Sequence, residues 1–237
     1  MVEQLTEDEQ VEALKKWWKE NGRAIILGVI IGVSAIVGFW KWNQHVEEQA
    51  LAASLEYDRF TQYIIEGKSE QIAKSFSMFT GDYEGTSYAT LAALLYASYE
   101  YDKGNKEKTL EHLRWAKDHS GHEALLHVAQ IRLARFLVSE NKLDEAFALI
   151  DKVDEPAFVS QYAEIKGDVY SKRGEPTLAS TSYQLALSST ELSGKQREYV
   201  QMKLDNLGAV VGSTSTANSV DKNGIKSTDD KIVQDGK

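Results

Sequence analysis

The sequence predicts an all-α, membrane-anchored protein: a single N-terminal transmembrane helix, then an α-solenoid of about four degenerate helix-turn-helix repeats with a C-terminal capping helix. Three observations carry that expectation. Only two prolines occur, Pro156 and Pro176, and no β-branched run alternates with polar residues, so helices are the economical reading. One apolar run stands unbroken between Arg23 and Lys41. Beyond it, small and large residues recur at a nearly fixed spacing.

Residues 1–23 come first and are rich in Glu and Asp. A cleaved signal peptide starts short and basic, so a retained anchor fits this lead better than a leader sequence does. The run AIILGVIIGVSAIVGFW at residues 24–40 follows; at about 1.5 Å per residue it rises about 26 Å, the short end of what crosses a bilayer core. Trp17 and Trp18 precede it and Trp40 and Trp42 close it, placing indoles near both interfaces. Lys15, Lys16, Lys19 and Arg23 lie before the run, against Lys41 and Arg59 after it, which predicts a cytoplasmic N-terminal segment. In a bacterium, residues 41–207 would then be periplasmic. Gly28 and Gly32 form a GxxxG that would let another membrane helix approach closely, although glycine is also ordinary in lipid-facing positions.

The soluble part reads as a repeat. Phe60, Ala97, Ala134 and Gly167 align at spacings of about 37, 37 and 33 residues. Turn residues follow each: Gly67, Gly104, Asn141 and Gly174. Further on lie Ile72, Thr109, Ala146 and Ala179, then Phe76, Leu113, Ile150 and Tyr183. Each unit is thus a helix, a turn and a helix, with small residues where two helices touch. This is similar to the tetratricopeptide pattern, whose period is about 34 residues. The best unit, AEIKGDVYSKRGEPTLASTSYQLA from Ala163 to Ala186, matches it at Gly167, Tyr170, Gly174, Ala179, Tyr183 and Ala186. An alanine-rich helical bundle without repeats is the alternative. KQREYVQMKLDNL at residues 195–207 is amphipathic, with Tyr199, Met202 and Leu207 near one face, and would cover the end of the stack. Gly208 is then the expected helix stop, and the polar, aperiodic residues 208–237 are expected to be a disordered tail.

Chemistry is harder to find. With 27 Lys+Arg against 36 Asp+Glu, the net charge of −9 argues against nucleic acid as a partner. The absence of cysteine excludes disulfides, thiolate catalysis and Cys-based zinc sites. His112, His119, His122 and His127 are close in sequence, but no HExxH or comparable ligand spacing accompanies them, so no metal and no cofactor is expected. Walker, Rossmann and GxSxG motifs are likewise missing, and no enzyme is expected. A repeat scaffold normally works through the concave face lined by the first helix of each unit. In this register that face takes Tyr57, Thr61, Leu94, Ser98, Tyr101, Ile131, Arg135, Glu164 and Asp168. They either bind a protein segment or are half-buried packing residues.

Four stretches together resemble the YfgM family, ancillary subunits of the bacterial SecYEG translocon: VEALKKWWKENGRAIILGVIIGVSAIVGFWKWN at residues 11–43, YATLAAL at 88–94, IRLAR at 131–135 and QMKLDNL at 201–207. The resemblance covers about residues 9–207. It implies an inner-membrane protein with a periplasmic repeat domain, with SecYEG and the membrane-anchored chaperone PpiD as partners. It also implies a role in passing newly translocated polypeptides to folding factors, and a link to the response regulator RcsB through the N-terminal segment. The family brings no catalytic residues.

Overall fold

The computed structural model describes residues 7–153, 155–189 and 192–220; the side chains of residues 7, 9 and 209–220 are left aside. Among the described residues there are nine α-helices, one short 3-10 turn and no strand. They fall into two compact units, one ending at Tyr88 and the other starting at Ala89.

The first unit is dominated by α1 (Glu7–Glu66), a single helix of 60 residues. At about 1.5 Å per residue it is about 90 Å long. The expected transmembrane segment is therefore not a separate element: α1 runs on without a break into the first helix of the first repeat. Nothing between Trp40 and Glu66 stops it, because the stretch has neither proline nor glycine. Its apolar portion is long enough to cross a membrane and is exposed along its length. Among the described residues nothing lies within 4 Å of where a Cβ would stand on Gly28 or Gly32, so none of them packs the small-residue face. α1 turns back into α2 (Ser69–Thr80). Fully buried Phe60 holds the hairpin, meeting Phe76 at 6.3 Å and Phe79 edge-on at 5.6 Å between ring centroids. Aromatic bulk thus replaces the small residue that later repeats use at this place.

The second unit holds most of α3 (Ser87–Asp102), then α4 (Lys106–Asp118), α5 (Glu123–Ser139), α6 (Leu143–Ile150), α7 (Val159–Lys172), α8 (Pro176–Ser188) and α9 (Gly194–Val220). A 3-10 turn, Pro156–Phe158, leads into α7. α5 packs on α4, α6 and α7, and α7 packs on α8, which carries α9. The repeat register is the predicted one. Ala97, Ala134, Ala146, Ala179, Thr109, Leu113, Ile150 and Tyr183 are all buried.

All four hairpins turn on the predicted residue, and by the same device. Gly67, Gly104, Asn141 and Gly174 take φ of 68, 79, 59 and 75°. The next residue's N–H then reaches back to the carbonyl five positions earlier, from Lys68 to Tyr63, Asn105 to Glu100, Lys142 to Leu137 and Glu175 to Tyr170, at 2.8 to 3.0 Å. This is the Schellman closure, which satisfies helix-end carbonyls and reverses the chain. A side chain in the left-handed region costs about 1–2 kcal/mol. Gly174→Ala is accordingly expected to lower stability by about 1 kcal/mol, or the thermal midpoint by about 2–4 °C, in a calorimetric scan.

Two expectations about the C-terminus change. The buried face of α9 is formed by Val200, Leu204 and Leu207, packed against Ala163, Ala179, Tyr183 and Ala186, while Tyr199 and Met202 are half exposed. Of the predicted stripe Leu207 packs there, while Val200 and Leu204 take the places expected of Tyr199 and Met202. α9 also continues past Gly208 to Val220. A stop there would need a left-handed glycine, and Gly208 is not among the glycines with positive φ. The expected disorder of residues 221–237 falls outside the described residues.

Candidate partner-binding groove

In the second unit, three first helices present a polar and aromatic surface. Along α3, Leu94, Ser98 and Tyr101 share a face by their i, i+4, i+7 spacing. Opposite them α5 supplies Arg132, Arg135, Phe136 and Ser139, and α4 supplies Thr109 and Leu113. Together they line a depression of about 420 Å³. The Tyr101 ring stands edge-on to Phe136 at 6.1 Å, which holds an exposed tyrosine in a defined pose.

A second depression, of about 730 Å³, begins where the first ends. Arg135 and Ser139 belong to both. Its other walls include Glu164, Asp168 and Lys172 from α7, Tyr183 from α8, and Tyr199 and Lys203 from α9. Its charges are knitted together. Arg135 Nη2 donates to Glu164 Oε2 at 2.8 Å, and Lys203 Nζ donates to Glu164 Oε1 at 2.8 Å and to Asp168 Oδ2 at 2.7 Å. The Tyr183 hydroxyl donates to Asp168 Oδ1 at 2.7 Å. Burial pushes the Glu164 carboxyl up, but Lys203 and Arg135 outweigh it and hold the carboxyl below the usual carboxylate range. Burial likewise works against the charge on Lys203, and Asp168 and Glu164 more than offset it. Within this network two cations face two anions, and Lys172 on the same wall, donating to the Val138 carbonyl at 2.8 Å, leaves one positive charge over.

The structure brings six of the predicted residues into these depressions: Leu94, Ser98, Tyr101, Arg135, Glu164 and Asp168. It leaves two out. Ile131 is 5% exposed and belongs to the core. Tyr57 lies in the first unit, half-buried against the rings of Phe79 and Tyr88; beside it, Thr61 donates its hydroxyl to the Tyr57 carbonyl. Arg132, Phe136 and Lys203 were not foreseen. Among the described residues Arg132 is exposed and has no ion-pair partner. The histidines considered for a metal are spread over different tasks. His112 is buried and stacked on Tyr96 at 4.2 Å, and burial pushes its pKa down. His119 stacks on Trp115 at 4.7 Å, and His122 is the extended residue ahead of α5.

Comparison with known proteins adds a lineage to this architecture. A family model described as a tetratricopeptide repeat-like domain matches residues 15–209. The chain is 31% identical over 201 residues to a protein of Escherichia coli (strain K12) named ancillary SecYEG translocon subunit, covering 85% of this chain and 96% of that one. Proteins of the same name from Haemophilus influenzae and Aggregatibacter actinomycetemcomitans are 29% and 28% identical, each over 87% of this chain and 100% of the relative. No solved structure matches. With the repeat fold, the apolar anchor helix and these relatives in agreement, the chain belongs to the tetratricopeptide repeat-like family of ancillary SecYEG translocon subunits, the YfgM family.

Proposed function

We propose that this protein is a non-enzymatic, single-pass scaffold of the bacterial inner membrane that holds a protein segment in its groove beside the SecYEG translocon. The observation that carries the reading is the pair of depressions that meet at Arg135, built from the first helices of successive repeats. Leu94, Tyr101 and Phe136 offer an apolar and aromatic seat, and unpaired Arg132 offers a cation, so the fitting segment has one large apolar side chain beside an acidic group. Such a segment belongs to a periplasmic chaperone such as PpiD or to an emerging polypeptide.

In this reading residues 24–40 anchor the chain, residues 1–23 lie in the cytoplasm and the repeats lie in the periplasm. The Lys and Arg bias around the apolar run supports that orientation. Gly28 and Gly32 supply a face for a translocon helix. A second reading, an envelope signalling scaffold that restrains RcsB, draws support from Val11, Leu14, Trp17 and Trp18, at least half exposed on the N-terminal part of α1.

A photocrosslinker at Ser98 in intact membranes tests the first reading, and capture of SecY, PpiD or secreted clients is expected. Tyr101→Ala should reduce the adduct about tenfold, the loss of about 1.4 kcal/mol typical of an aromatic anchor. Adducts confined to unrelated envelope proteins, or none, would overturn it.

A further inference from the structure

Away from the groove, at the start of α5, three potential ligands converge from two places in the chain. Glu123 and His127 are four residues apart on the first turns of α5 and so share a face. Glu155 comes from the connection after α6. One ligand atom from each lies within 4.8 Å of the others.

The surroundings fix two of the three. Glu155 precedes Pro156, one of two prolines in the chain, and a residue before proline is driven into extended backbone. It is extended here, at φ −120° and ψ 108°, and its carbonyl accepts from Phe158 N–H at 3.0 Å. His127 is held on two sides. Its ring stacks on Phe158 at 5.0 Å, and its Nδ1 is 2.8 Å from the Tyr162 hydroxyl oxygen. In the tautomer whose Nδ1–H donates to that oxygen, Nε2 carries the free lone pair, and the ring then has the arrangement of a ligating histidine, whose second nitrogen is occupied by an outer partner that sets ring orientation.

Two carboxylates gather here, and among the described residues no ion pair with Lys or Arg engages either; the positive end of α5 favours their charge, and a bound cation would neutralise it further.

We propose that Glu123, His127 and Glu155 form a surface site for a divalent transition metal of the zinc class. One imidazole with two carboxylates suits Zn²⁺ and disfavours Ca²⁺ and Mg²⁺, which take oxygen ligands. With three protein ligands, water completes the coordination, so the site binds reversibly. Bound metal would tie the Pro156 connection to α5.

The test is calorimetric titration of the full chain in detergent, without a polyhistidine tag, with ZnCl₂ and separately with CaCl₂. One Zn²⁺ per chain is expected, with Ca²⁺ much weaker. Glu155→Gln and His127→Gln should each weaken Zn²⁺ by at least about tenfold, and Tyr162→Phe by about 10- to 100-fold through the orienting hydrogen bond. The exposed Glu123→Gln serves as the variant least able to disturb folding, and each variant's helical signal is checked by circular dichroism. His119→Gln with His122→Gln should leave the affinity unchanged. Absence of Zn²⁺ binding below millimolar concentration would overturn the proposal. So would binding that survives Glu155→Gln and Glu123→Gln, or that disappears with His119 and His122.

Discussion

Gly167→Ala is expected to destabilise the second unit by about 2–3 kcal/mol, an overpacking cost at the upper end of the usual range. In a thermal melt of the full chain this reads as a loss of about 5–10 °C. A Cβ on Gly167 would stand 2.4 Å from Tyr183 Cε1 and 2.5 Å from its Cδ1. The ring has nowhere to go: Tyr183 is 3% exposed, packed with Ala163, Ala179 and Ala186, and tied through its hydroxyl to Asp168. Other repeats divide the same space differently, with Ala97 and Leu113 or Ala134 and Ile150 in place of glycine and tyrosine. Substituting Tyr183 by Leu alongside Gly167→Ala should therefore recover about 1–2 kcal/mol relative to the sum of the single losses, a coupling of the size contacting residues show. An alanine variant melting within 1 °C of the parent would show that the two helices are not in contact at this point.

That pairing also explains what the sequence could and could not convey. Turn positions were legible because a left-handed residue is chemically selective: glycine or asparagine must stand where the hairpin reverses, and Gly67, Gly104, Asn141 and Gly174 do. Once those are aligned, helical spacing carries Leu94, Ser98, Tyr101 and Arg135 to one face. The same spacing failed for Ile131. α5 packs on α4, α6 and α7 and buries Ala129, Ile131, Leu133, Ala134, Phe136, Leu137 and Val138, so it is apolar nearly all round and its pattern does not single out a groove side. The extent of α1 escaped notice for a different reason. Hydropathy marks where lipid would end, near Trp40, but a helix ends only where its backbone is interrupted, and here that is Gly67. Lys203 had no local signal at all, since its partners Glu164 and Asp168 lie 39 and 35 residues away and meet it only through the docking of α9.

Lys203→Met is expected to cost about 3 kcal/mol at neutral pH, as breaking a largely buried ion pair from one side does. Lys203 is 17% exposed, and it is the cation shared by Glu164 and Asp168. Without it Glu164, 9% exposed, keeps only Arg135, whose side chain is 46% exposed and correspondingly screened. The pH dependence follows from the direction of each shift. Glu164 titrates below its ordinary 4.5 in the folded chain, so its stabilisation is complete above that value and fades as the pH falls through the folded pKa. Lys203 titrates above 10.5, so its contribution is complete below that value and fades as the pH rises through its folded pKa. The difference between parent and Lys203→Met in urea unfolding should thus be widest from about pH 5 to 9 and close in acid as Glu164 protonates. A difference as large at pH 3 as at pH 7 would mean that the lysine acts through packing of its methylene stem alone. The same substitution leaves Glu164 and Asp168 short of a cation beside the seat formed by Arg132 and Tyr101. A folded Lys203→Met chain should then hold an acidic segment more weakly than the parent, and added salt should narrow that gap, because the groove accepts negative charge only while its own carboxylates are neutralised from α9.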